Sequence, residues 1–244
     1  MTYCVALLLK EGLVFISDTR TNAGVDHISS FTKLFRFGIE GERFMVVQTA
    51  GNLATTQSVV TRLQHQIAAQ IEPNLNTVGS MFEAAELIGA SLRRVLKNVS
   101  ESPEQEAMYG CSILLGGQIA GQEMELYNIY PQGNFIRATL DTPYFQIGEI
   151  KYGKPIMDRA LSYYTPLDQA LRCSLISFDS TIRSNVSVGM PLDVMVYPAN
   201  SLKLPKGKRV TENDAYFHEI RKEWSDILKQ GLQNIAPPTT DYFD

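Results

Sequence analysis

Position 2 holds a threonine, directly behind the initiator methionine, and the chemistry this chain could perform starts there. Methionine excision favours a small second side chain, and removal of Met1 would leave Thr2 with a free α-amine. A threonine hydroxyl is a poor nucleophile at neutral pH. An α-amine titrates near ~7.7–8.0, so it can accept the hydroxyl proton at working pH. Carried on one residue, nucleophile and base stay in reach of each other, directly or through one water. If Met1 stays in place, the amine is an amide and the base is lost. Many unrelated chains begin Met-Thr, so the position has meaning only in its surroundings.

Those surroundings come from the elements around it. Tyr3–Leu9 and Leu13–Ser17 read as strands flanking Lys10-Glu11-Gly12, a turn of hairpin length. Thr2 therefore leads into a rigid element. Across the hairpin, the end of the second strand lies beside the start of the first, which brings Asp18 close to Thr2. Leu34–Ile39 and Arg43–Thr49 flank Glu40-Gly41-Glu42 in the same way, so Lys33 opens a strand. A half-buried lysine beside Thr2 would lower the proton affinity of hydroxyl and amine through its charge, with Asp18 as its partner. Taken singly, Asp18 also reads as a turn residue and Lys33 as a solvated strand start. Gln48-Thr49-Ala50-Gly51-Asn52 joins a strand to a helix. Its backbone N–H groups are free to hold an oxyanion, and Gly51 permits close approach; equally, it is a plain turn with Asn52 as N-cap.

Beyond residue 50 the period changes. Leu53, Val59, Val60, Leu63, Ile67 and Ile71 mark one face of a helix, which Pro73-Asn74 breaks. Val78, Met81, Phe82, Ala85, Leu92, Val95 and Leu96 mark a second helix, followed by a polar loop at Ser100–Glu106. Strands return at Cys111–Gly116, Met124–Tyr130, Phe135–Ala138 and Tyr144–Ile147. Helices are expected at Pro155–Tyr163 and Pro166–Ile182, a strand at Asp193–Tyr197, and a last helix at Glu212–Leu232 carrying Trp224, read as a packing residue. Runs of strands alternating with runs of helices indicate an α+β layered fold. Residues 1–236 are expected as a single domain and 237–244 as a flexible tail.

These residues resemble the proteasome β-subunit family of N-terminal-nucleophile hydrolases. The match rests on Thr2, on Ser17-Asp18-Thr19-Arg20-Thr21 closing the second strand, on Lys33, and on Thr49-Ala50-Gly51 before the first helix. It extends over the whole chain through the order of strands and helices. Met1-Thr2-Tyr3-Cys4-Val5 and Ser17–Asp26 look like the family's bacterial branch, the ancestral β subunits. The resemblance implies a four-layer αββα sandwich and peptide-bond hydrolysis through an acyl-enzyme. Thr2 would be nucleophile and base, Lys33 would tune it, Asp18 would orient Lys33, and the Gly51 N–H would form the oxyanion hole. Arg20, Thr21, Asn22 and Ala50–Gly51 would clasp an extended peptide by main-chain pairing. No metal or organic cofactor is implied.

The resemblance also implies self-association into a ring or helical homo-oligomer, and a genomic neighbourhood with ATP-grasp, transglutaminase-like and α-helical "alpha-E" proteins. The sequence departs from the family pattern at two places. Gly148-Glu149 stands where a serine follows the glycine. In Ser184-Asn185-Val186-Ser187 the final serine fits, but an aspartate is missing three positions before it. The runner-up reading is a non-catalytic ring subunit that scaffolds or binds peptides.

Bulk properties restrict the alternatives. Of the 244 residues 44% are apolar, enough for a sizeable core, and the net charge of −4 gives no reason to expect nucleic acid or an anionic membrane as partner. The basic run Lys203–Arg209 reads as a solvated loop. Three cysteines, Cys4, Cys111 and Cys173, form no C-x-x-C pair and suggest a reducing cytoplasm. Cys4 reads as a small core residue. His27, His65 and His218 lie far apart, so no metal site is expected. The first apolar run ends at Lys10, too short for a secretory signal or membrane span.

Overall fold

The computed structural model describes residues 2–22, 28–100 and 102–243. The opening hairpin forms as its turn chemistry requires. β1 (Tyr3–Leu9) pairs antiparallel with β2 (Gly12–Asp18), and all residues of both strands are buried. Strands buried along their whole length need cover on both faces. Alternate residues supply it: Val5, Leu7 and Ile16 point to one core, and Ala6, Leu8 and Phe15 to another.

Two five-stranded sheets result. In the first, β10 (Tyr144–Gly148), β1, β2, β11 (Leu192–Pro198) and β12 (Lys208–Val210) lie side by side. In the second the order is β5 (Leu34–Ile39), β6 (Arg43–Gly51), β7 (Cys111–Ile119), β8 (Glu125–Ile129) and β9 (Phe135–Arg137). The sheets pack face to face through Phe15, Phe44, Val46, Leu114 and Tyr197. Phe44 and Tyr197 stack across the interface at 4.2 Å, and Gln48 Nε2 donates to the Ile16 carbonyl at 2.8 Å. On the outside of the second sheet lie α1 (Leu53–Ala68) and α2 (Met81–Val99), burying Val59, Leu63, Ile88 and Leu92 against Met45 and Val47. On the outside of the first lie α4 (Lys154–Ala160), α5 (Leu167–Ser184) and α6 (Ala215–Asn234). The order of layers is helix, sheet, sheet, helix: a four-layer αββα sandwich. Each large side chain sealed in these three cores contributes roughly 1.5–3 kcal/mol.

The structure adds elements where none was expected. A short hairpin, β3 (Arg20–Asn22) with β4 (Ile28–Ser30), occupies the polar stretch between Asp18 and Thr32, and its three-residue polar strands carry no apolar period to reveal them. α3 (Pro103–Tyr109) occupies the expected polar loop, starting at a proline suited to a first helical turn. β12 falls at the end of the basic run. Arg209 pairs with Asp193 on the adjacent strand at 2.8 Å, so the charges there form an edge strand and not only a solvated loop. The second helix begins at Met81 rather than Val78 because Ser80 caps it, accepting from the Glu83 N–H at 3.1 Å. Asp214 likewise caps α6 and sets its start at Ala215. Near the end, Thr240–Tyr242 forms a 3₁₀ turn. Among the described residues, no helix is long and apolar enough to cross a membrane.

Candidate active site

β1 is an inner strand, held by β10 on one side and β2 on the other, so Thr2 emerges between two fixed strand ends. Its carbonyl accepts from the Glu149 N–H at 2.7 Å. Gly148 makes that approach possible. It sits at φ +86°, and a Cβ there would lie 1.9 Å from the Thr2 oxygen. One residue on, the Tyr3 N–H donates to Asp18 Oδ1 at 3.1 Å. The Tyr3 ring is fully buried. Its hydroxyl meets Ser177 Oγ at 2.6 Å and is bonded by Gln146.

Asp18, at the end of β2, is fully buried, and Lys33, before β5, is nearly so. Lys33 Nζ donates to Asp18 Oδ1 at 2.8 Å and to the Arg20 carbonyl at 2.6 Å. The Gly189 N–H reaches the other Asp18 oxygen at 3.4 Å. Burial pushes the Asp18 carboxyl above its ordinary value, while the charge and hydrogen bond of Lys33 and the two backbone donors pull it back. The same burial raises the Cys4 thiol, which faces the inter-sheet core with its S–H toward the Thr49 carbonyl at 3.7 Å, so Cys4 is a core residue as expected.

Thr2, Thr21, Lys33, Thr49, Ala50 and Gly51 line one cleft of about 360 Å³, with Thr32, Leu53, Thr56 and Gly148 completing it. Gly51 enters through strand geometry. The Thr49 N–H is bonded to the Lys33 carbonyl at 3.0 Å, so the Gly51 N–H, two residues on, points the same way, beyond the start of β5. Gly51 itself is one of the residues that line the cleft. Gly51 has φ +124°, and a Cβ would strike the Gly110 carbonyl at 2.6 Å. Asn52 caps α1 by accepting from the Thr55 N–H at 3.1 Å, so the turn reading of that residue holds alongside the cleft.

Some residues behave differently from the sequence expectation. Arg20 presents only its backbone to the site. Its guanidinium turns away, donating to the Val186 carbonyl at 3.0 Å and filling the space beside Gly189. Ser187 is not among the cleft-lining residues. It lies in the turn after α5, its N–H bonded to Asn185 Oδ1 at 2.9 Å, two residues before the N–H that reaches Asp18. Asn22 closes β3; its side chain and the neighbouring His27 and Gly24 lie outside the described residues. Glu149, at the departure from the family pattern, is buried. Its Oε2 accepts from Asn185 Nδ2 at 2.8 Å and its Oε1 lies 3.7 Å from Lys151 Nζ. Sequence reasoning missed this pairing of the two departing segments. It also missed the threonine-rich wall of the cleft, for which the hydroxyl residues around Gly51 were the available signal. Among the described residues, the buried Thr21 Oγ1 has no hydrogen-bond partner, and no three His, Cys, Asp or Glu side chains gather as a metal site would need.

A nucleophile-bearing residue, a buried lysine–carboxylate pair and a strand-end amide around one cleft have the parts for acyl transfer. A sequence profile of proteasome subunits matches residues 2–196. Among solved structures, Anbu (ancestral beta-subunit) from Yersinia bercovieri is 55% identical, with 97% of this chain and 98% of that one covered and a TM-score of 0.93. The helical assembly of the Anbu complex from Pseudomonas aeruginosa is similar at 56% identity, 98% and 99% coverage and a TM-score of 0.94. Anbu from Hyphomicrobium sp. strain MC1 follows at 42% identity, 97% and 99% coverage and a TM-score of 0.90. No curated protein sequence gives a match.

Proposed function

The chain belongs to the proteasome subunit family, in its Anbu branch, and on that premise we propose that it is a threonine-type N-terminal-nucleophile amide hydrolase acting on peptide bonds. The observation that carries this reading is the buried Asp18–Lys33 ion pair, 2.8 Å across, beside the cleft that Thr2 lines. Burying a charged pair costs desolvation energy that an apolar pair would not, so a functional role accounts for it better than a stabilising one.

Removal of Met1 frees the Thr2 α-amine. The amine takes the hydroxyl proton, directly or through one water, and Thr2 Oγ attacks the carbonyl carbon. Charge on the resulting oxyanion is met by the Gly51 N–H. The carbon–nitrogen bond then breaks, and the ammonium proton passes to the departing amine. Water attacks the ester, giving its proton to the α-amine. The carbon–Oγ bond breaks, releasing a carboxylic acid and restoring Thr2. Throughout, the Lys33 charge favours the deprotonated hydroxyl, and Asp18 with the Arg20 carbonyl holds the ammonium in place. The edge of β3 away from β4 and the end of β6 offer backbone for pairing with an extended peptide. The likeness to a helical Anbu assembly supports self-association of this chain into a helical homo-oligomer.

The test is intact-mass measurement followed by exposure to a peptide epoxyketone, which reacts with an N-terminal threonine through both hydroxyl and amine. Loss of Met1, one adduct per chain, and loss of that adduct in Thr2→Ala are the expected results. Retained Met1 in native material with no adduct would instead favour the second reading, a non-catalytic subunit that scaffolds the assembly or binds peptides. That reading draws on Glu149 and Ser184, which stand where the family pattern has a serine and an aspartate.

A further inference from the structure

The cleft lined by Thr2 does not end at Gly51. A second cleft, of about 550 Å³, shares Ala50, Gly51 and Gly148 with it. The two differ in chemistry. The first is walled by threonine hydroxyls and Lys33. Among the described residues, the second is walled by Leu96, Ala107, Cys111, Ser112, Pro131 and Gln132, none of them charged. These residues arrive from α2, α3, the start of β7 and the segment after β8, so four separate parts of the chain build it. Burial pushes the Cys111 thiol up to about 12, so it stays protonated and lines the cleft without offering a competing nucleophile.

We infer that this second cleft receives the departing side of the substrate, the one or two residues after the scissile bond, and that it selects compact, uncharged side chains there. This rests on the hydrolase reading above. A carbonyl positioned on the Gly51 N–H has two substituents that must diverge in an extended chain. The acyl side lies over the first cleft, where the edges of β3 and β6 can pair with its backbone. Its other substituent is then directed across the Gly51–Gly148 seam. When the carbon–nitrogen bond breaks, the amine picks up the ammonium proton and leaves through this opening, and water reaches the ester by the same route. A site built so on both sides of the carbonyl suits an internal peptide bond better than a terminal amide. Contacts remote from the reacting atoms then add to the rate.

The inference is tested on the Met1-free protein in its native oligomeric state. One acyl peptide is offered either as an aminocoumarin amide, which has nothing residue-like on the departing side, or as internally quenched peptides continuing with Ala-Ala, Lys-Lys, Asp-Asp or Trp-Trp. The Ala-Ala extension is expected to raise kcat/KM about tenfold or more over the aminocoumarin amide, and the charged and bulky extensions to forfeit that gain. Ala107→Trp, and independently Gln132→Trp, should cut the ratio of extended to short substrate by about tenfold. Equal kcat/KM for all extensions, or a ratio that survives both tryptophans, overturns the inference. An epoxyketone carrying only the acyl sequence separates the two levels: its adduct on Thr2 with a flat extension series refutes the second cleft alone, whereas no adduct refutes the hydrolase reading and this inference with it.

Discussion

Lys33 Nζ lies 2.8 Å from Asp18 Oδ1, and both side chains are almost sealed from solvent. The pair is held from every side: by the Tyr3 and Gly189 amides on the carboxylate and by the Arg20 carbonyl on the ammonium. Removing one partner should therefore hurt more than removing both. Lys33→Met is expected to destabilise the fold by ~3–5 kcal/mol, whereas Asp18→Leu with Lys33→Met should be neutral or stabilising by ~1–4 kcal/mol. Both should be inactive. Urea unfolding of the two variants checks the ordering, and a single variant as stable as the double would contradict it.

The same pair sets a pH signature. Burial raises the folded-state value of Asp18 above its ordinary 3.8. A carboxyl with a raised folded value contributes stability that is fully present below the unfolded value and lost as pH rises through the folded one. Relative to the Asp18→Leu/Lys33→Met variant, wild type should be at its best below pH 3.8 and lose ground above it. Paired urea titrations across that window measure the difference; a difference that does not change with pH would show the carboxyl to be unshifted.

Activity should follow a different group. The α-amine must be neutral to take the hydroxyl proton, and the Lys33 charge disfavours its protonated form. The rise of kcat/KM with pH is expected to have its midpoint at or below the ordinary ~7.7–8.0 of an α-amine. A midpoint well above that range would argue against Lys33 acting on the amine.

Gly148 offers a backbone test. Its φ of +86° alone costs a non-glycine residue ~1–2 kcal/mol, and an added Cβ would also collide with the Thr2 carbonyl at 1.9 Å. Gly121 has a similar φ of +76° but open space around it. Gly148→Ala should lower the melting temperature clearly more than Gly121→Ala and should also slow epoxyketone labelling of Thr2. Equal losses in the two variants would mean that the contact with Thr2 can relax at no cost.

Glu149 can be probed directly. Glu149→Ala would leave the Asn185 amide without its acceptor, at ~1–3 kcal/mol, and free the turn carrying Ser187 and Gly189. Glu149→Gln keeps a carbonyl for Asn185 and should recover most of that stability. Thermal melts of the two variants provide the comparison, and identical losses would rule out the hydrogen bond as the cause.

Much of the frame was legible because its signals are local. The hairpins β1–β2 and β5–β6 announce themselves through apolar runs and short turns, and the first of them was enough to bring Asp18 to the start of β1, where it meets the Tyr3 amide. α1 and α2 announce themselves by period. β3, β4 and α3 do not, because short polar elements bury too little to leave a pattern. The site was legible only in part. The swing of Arg20 toward Val186, the joining of Glu149 to Asn185 and the meeting of Thr49, Thr56 and Lys33 around one cleft link residues far apart in sequence, and each is decided by packing between elements.

The order in which neighbours arrive has a consequence for truncation. β1 lies far ahead of its partners in the chain: one of its flanking strands ends at Gly148, and β11, which flanks β2, ends at Pro198. The amide that completes the shell of Asp18 belongs to Gly189. A chain cut before Gly148 lacks the strand beside Thr2, and one cut between Gly148 and Gly189 has that strand but not the amide on Asp18, so the hydrolysis proposed above would need the sequence through Gly189 to be present.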